Sequence, residues 1–121
     1  MYYTAQTGLF LVEDVPDGLL VRLHAATLGR HNAHDLAEEL VDVAFHRGGP
    51  NLYLDFREVL GVSEYVVLRL VVLHWKLQSM GDRLVLLNLR PEVYEAVRAA
   101  RLADLLNIRD DSPSEEFDGG A

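Results

Sequence analysis

The sequence predicts an α/β protein built on a mixed, mostly parallel β-sheet. The first observation is the stretch from Asn51 to Leu89, NLYLDFREVLGVSEYVVLRLVVLHWKLQSMGDRLVLLNL, which reads as strand, short loop, long helix, strand. Two parallel strands need such a crossover between them. The second is Val15-Pro16-Asp17-Gly18 between two apolar runs, a hairpin signal that makes the first two strands antiparallel neighbours. The third is Leu84–Leu89, an apolar run broken by Asn88 alone and of the kind buried on both faces of a parallel sheet.

Taken in order, the hairpin strands cover Leu9–Asp14 and Leu19–His24, with Ala25–His31 as a connector. A helix is expected to start at Asn32, whose side chain can cap it. Leu36, Leu40, Val41, Ala44 and Phe45 form its expected apolar face, and Gly48-Gly49-Pro50 ends it. Leu52–Phe56 is a short strand, followed by a long helix from Glu64 to Met80 that Gly81 terminates. Pro91 suits the first turn of a further helix with Val93, Val97 and Ala100 inward. Leu102, Leu105, Leu106 and Ile108 close the core as a short helical turn and a last strand. The 121 residues are expected to form one domain over 1–108, with 1–8 open to fraying and an acidic, disordered tail at 109–121.

Composition narrows the function classes. Half the residues are hydrophobic and a quarter charged, an ordinary globular balance. There is no cysteine, which removes disulfides, thiol chemistry and the commonest zinc frameworks. The net charge of −8 disfavours nucleic acid and anionic membranes as partners. The N-terminus lacks a signal-peptide pattern, and Tyr65–Leu73, interrupted by Arg69, falls far short of the ~20 residues that span a bilayer. A cytoplasmic home fits these features.

Several pieces together resemble one family. NLYLDF, LRLVVLHWKLQSMGDRLVLLNLRPEV and RLADLLNI occur in the order and spacing of a STAS domain of the bacterial anti-sigma factor antagonist (anti-anti-sigma factor) type, and the likeness extends from Leu9 to Ile108. The resemblance implies helices packed mainly on one face of the sheet. It also implies a non-catalytic regulator of transcription in bacterial signalling, which binds an anti-sigma factor, often a serine kinase, and so frees a sigma factor. Phosphorylation of a Ser or Thr at the start of the long helix breaks that binding in the family. Asp55 falls at the position of the family's strand-ending acid.

The chain departs from the usual Asp-Ser-Ser/Thr-Gly pattern before that helix. Matched without a gap, Ser63 takes the Asp position and Glu64 the phosphorylated position, with Tyr65 and Val66 next. With a loop one residue shorter, Ser63 becomes the acceptor. A helix N-terminus attracts negative charge through its free N–H groups and its dipole. Glu64 places about one negative charge there permanently, against about −1.5 to −2 for phosphoserine. Three readings follow: an ordinary cap (Ser63) with a first-turn acid, a phosphosite at Ser63, or Glu64 in place of the phosphate.

The long helix carries two apolar stripes. At 100° per residue, Val66, Val67, Leu70, Leu73, His74 and Leu77 make a core face. Tyr65, Leu68, Val72 and Trp75 lie roughly opposite, with Arg69 and Lys76 beside them. An ordinary surface helix has one such stripe. The second either packs beneath a neighbouring helix or contacts a partner protein.

Other chemistries find little support. His31, His34 and Asp35 lack a strong third metal ligand nearby, and His74 is expected as a satisfied, partly buried histidine. No Gly-rich phosphate loop is present, Ser63 has no nucleophile-elbow pattern, and the pair Asp55 and Glu58 is generic. No cofactor, metal or enzyme activity is expected. A small-ligand or nucleotide-sensing module, and a homodimer built on the Tyr65–Trp75 stripe, remain as alternatives.

Overall fold

A computed structural model describes residues 2–4, 8–24, 26–47 and 50–109. The expected end of the first helix at Gly48-Gly49, and the acidic tail from 110 onward, lie outside the described residues; Arg109, expected as the first residue of that tail, instead ends the last strand and pairs with Leu87. In chain order the elements are β1 (Tyr2–Thr4), β2 (Phe10–Val15), β3 (Gly18–Leu23), β4 (Thr27–Leu28), α1 (Arg30–Arg47), β5 (Asn51–Asp55), β6 (Gly61–Val62), α2 (Glu64–Ser79), β7 (Arg83–Leu87), α3 (Pro91–Ala99), a 3-10 turn (Ala103–Leu105) and β8 (Asn107–Arg109). Six strands form one sheet in the order β1-β2-β3-β5-β7-β8. β1, β2 and β3 are antiparallel, while β3, β5, β7 and β8 are parallel.

Alternation along the strands divides the apolar residues between two faces. Leu19 and Val21 of β3, Leu52 and Leu54 of β5, and Leu84 and Leu86 of β7 join the main core with the helices. Leu20, Tyr53, Val85 and Leu87 form a smaller buried cluster on the opposite face. Burial on both faces explains why these strands read as unbroken apolar runs. Gly18 is required where β3 meets β5: a Cβ there would lie 1.9 Å from the Asn51 carbonyl oxygen.

The helix ends follow local chemistry. α1 begins two residues before the expected start. The Gly29 carbonyl accepts the Asn32 and Ala33 N–H groups, and Asn32 Oδ1 accepts the Gly29 N–H at 3.0 Å. Asn32 is thus a first-turn residue reaching back to the helix entrance, not the cap itself. The buried face of α1 is Ala33, Leu36, Leu40 and Val43. Phe45 is a correction: it stands half a turn from Leu36 in projection and is 59% exposed. At the end of α2, Gly81 takes φ +82° and the Asp82 N–H returns to the Leu77 carbonyl, a glycine-dependent stop. Pro91 opens α3, and Val93 and Val97 are buried one turn apart.

The short β4–β6 pair was not foreseen. Thr27–Leu28 and Gly61–Val62 form a separate two-stranded parallel sheet. It ties the entrance of α1 to the entrance of α2. No helix of the described residues is long and apolar enough to cross a membrane.

Candidate functional site

The carboxyl ends of the parallel strands and the amino ends of α1 and α2 meet at one edge. Asp55 closes β5 there and is buried. Its Oδ1 accepts the Arg57 N–H at 2.9 Å and the Asn88 side-chain amide at 3.2 Å, while Oδ2 lies 3.6 Å from Arg22 Nη1. Arg22 Nε also donates to Glu13 at 2.9 Å. A buried carboxylate needs such partners. Asp55 therefore joins the ends of β3, β5 and β7 and fixes where the following loop departs.

That loop is held by backbone bonds. Phe56 N–H donates to the Leu87 carbonyl, Val59 to Phe56, and Leu60 to Ala26 at 2.7 Å. Val59 is fully buried, whereas Leu60 is exposed. Ser63 follows β6, and its N–H donates to the Leu28 carbonyl at 2.9 Å. The position of Ser63 is thus set by the β4–β6 pair rather than by α2 alone.

Ser63 is the N-cap of α2, with extended backbone and a side chain that accepts the Val66 N–H at 3.3 Å. Glu64 is the first helical residue and is exposed. Its carboxylate has no hydrogen bond or ion pair among the described residues. It stands in the positive field of the helix start with its oxygens open to solvent or to a partner.

Tyr65 is flanked by two guanidinium groups. Arg30, the first residue of α1, lies 5.3 Å from the ring centroid and Arg69 lies 5.6 Å away, both within cation–π range. Arg30 escaped the sequence reading because its approach depends on the position of the α1 entrance. Leu68, Val72 and Trp75 continue the outer stripe of α2 and stay 41–55% exposed, and Tyr65 is 37% exposed. The stripe is not covered by another helix among the described residues. Arg69 and Lys76 lie beside it, on the flank facing α1.

The histidines make no metal site among the described residues. His34 pairs with Glu38 on exposed α1 surface at 3.2 Å. His74 is partly buried as expected, but its Nδ1 is buried without a hydrogen-bond partner, so it is not fully satisfied. A buried Val71 completes the core face beside it.

On this architecture the chain belongs to the STAS domain family, whose model matches residues 11–114. The same fold occurs in an anti-sigma factor antagonist-like protein of Thermotoga maritima, with TM-score 0.72 and 21% identity over 91% of this chain and 92% of that one. It occurs in phosphorylated SpoIIAA, the Bacillus cell fate determinant, with TM-score 0.66 and 18% identity over 93% and 99% of the two chains. Moorella thermoacetica RsbS carrying a serine-to-glutamate substitution superposes with TM-score 0.70 and 18% identity over 89% and 91%. No curated protein matches the chain in sequence.

Proposed function

We propose that this chain is a non-catalytic, anti-sigma factor antagonist-like module that binds an anti-sigma factor or serine kinase through the start of α2. Glu64 stands in that contact as a permanent charge. The observation that carries the reading is the division of labour at the helix entrance. The Ser63 hydroxyl is used as a cap, while the Glu64 carboxylate projects unpartnered from the first turn.

Two further features support it. The outer stripe of Leu68, Val72 and Trp75 provides apolar contact area next to Glu64, of the kind that dominates protein interfaces. Relatives in fold include a phosphorylated antagonist and one with glutamate in place of a serine, so the fold accommodates added negative charge. In this reading phosphorylation no longer controls the site, because the charge is built in. Regulation of transcription from the cytoplasm follows as the setting of such a partner.

The test is co-purification of the tagged chain from its own cells, with the captured partner identified, followed by titration with wild type and Glu64→Ser. The reading expects an anti-sigma factor or serine kinase, and an affinity change of about tenfold or more on substitution. Stronger binding by Glu64→Ser marks a domain held in a phosphorylated-like state. Weaker binding marks a partner adapted to the acid. Equal affinity, or absence of such a partner, contradicts the reading.

A further inference from the structure

α1 and α2 form a groove whose two rims carry opposite charge. β3, β5 and β7 are parallel, and each helix returns the chain between two of them. The helices therefore run parallel to each other, with Arg30 at the start of α1 close to Tyr65 at the start of α2. The groove floor is apolar, formed by Leu36, Leu40 and Val41 with Val66, Leu70 and Leu73. Glu38 and Asp42 stand on the α1 rim, Arg69 and Lys76 on the α2 rim.

Among the described residues the basic rim is not neutralised. Among the described residues neither Arg69 nor Lys76 forms an ion pair with a carboxylate, and Arg69 Nε is buried without an acceptor. Phe45 on α1 and Val72 on α2 are exposed beside the groove, at 59% and 41%. The floor is buried between the two helices, but exposed apolar edges beside a basic rim that lacks carboxylate partners among the described residues call for a covering surface that brings carboxylates.

We propose that the α1–α2 groove is a homodimer interface, covered by the same groove of a second copy of the chain. Charge selects the arrangement. A two-fold axis lying across the helices would set α1 on α1, with acids facing acids. An axis along the helices sets α1 of each protomer on α2 of the other and keeps their directions the same. With equal rise along both helices, Lys76 then meets the level of Asp42 in the partner, and Arg69 the turn of His34 and Glu38. A two-fold axis makes every such pairing occur twice. The flank of α2 that carries Glu64, Leu68 and Trp75 is turned away from α1. The inference does not rest on the anti-sigma reading, since self-association is measured on the purified chain alone.

The experiment is sedimentation equilibrium of the full-length protein from low micromolar to near-millimolar concentration, with folding of each variant checked by circular dichroism. The wild type is expected to dimerise. Lys76→Glu and Asp42→Lys each weaken the dimer by about tenfold or more, and the two substitutions combined in one chain restore most of the loss. A wild type that stays monomeric throughout overturns the proposal, even if another protein binds the groove. So does a dimer indifferent to Lys76→Glu, or a folded double variant that recovers nothing.

Discussion

Ser63 Oγ accepts the Val66 backbone N–H at 3.3 Å. One of the free donors at the start of α2 is thereby satisfied by the side chain that precedes the helix. Replacing a serine cap by alanine typically costs about 0.5–2 kcal/mol. Ser63→Ala is therefore expected to lower the thermal midpoint by a few degrees, while Ser63→Asp keeps most of the stability. Equal midpoints for wild type and Ser63→Ala would show that the cap contributes nothing.

The same bond bears on modification. On the proposed role of Glu64 as the built-in charge, a Ser63 hydroxyl committed to the helix entrance leaves phosphorylation little to add. Intact-mass measurement of the protein from its own cells is expected to show Ser63 unmodified. A substantial phosphorylated fraction at Ser63 would return the switch to that residue.

Asp55 is expected to matter for stability more than for direct contact. Asp55→Ala leaves the Arg57 N–H and the Asn88 amide without their acceptor and removes one partner of Arg22. Fully buried donors left unsatisfied cost about 1–3 kcal/mol; these donors are part-buried and Arg22 is partly reached by water, which places the loss at the low end. Chemical denaturation should show a loss in that range. An unchanged unfolding midpoint would mean that the network is replaced by solvent.

The far face of the sheet gives a prediction at high pH. Tyr53 is buried and donates its hydroxyl to Asp17 Oδ2 at 2.7 Å. Burial first, then the hydrogen bond and charge of Asp17, push its pKa from 10.0 up to about 12, against an opposing effect of Arg109. The native chain thus holds this proton more tightly than the unfolded chain. The resulting stability is fully present below the ordinary tyrosine value and is lost as pH rises towards the folded-state value, on the order of 3 kcal/mol in all. Stability measured against pH should fall across that window, and Asp17→Asn should move the phenol's ionisation to lower pH. A Tyr53 that ionises with the exposed tyrosines contradicts this.

Gly18 tests the packing of β3 against β5. An added Cβ would clash with the Asn51 carbonyl, and backbone cannot move aside as a flexible side chain can. Gly18→Ala should destabilise by at least about 1–3 kcal/mol, read from urea unfolding. Full stability in that variant would show that the two strands can part without loss.

Much of the fold was legible because its signals are local. Pro16 and Gly18 mark the hairpin, Gly81 and Pro91 mark helix boundaries, and the unbroken apolar runs mark strands buried on both faces. Phe45 adjoins the apolar positions of α1 in sequence, but its helical angle is opposite Leu36, so it faces outward. The β4–β6 pair was invisible because two residues carry no periodicity, and its pairing joins segments far apart in sequence. At the site, Ser63, Glu64 and the outer stripe of α2 were readable from capping chemistry and helical spacing. Arg30 and the Asp17–Tyr53 bond were not, since each depends on the tertiary approach of separate elements.

In the proposed function, Glu64 lies in the partner contact of an antagonist-like STAS domain. The most direct test is the affinity of wild type and Glu64→Ser for the anti-sigma factor or serine kinase recovered with this chain, measured by calorimetry on folded proteins. The account predicts a change of about tenfold or more. Identical affinity for the two proteins would contradict it.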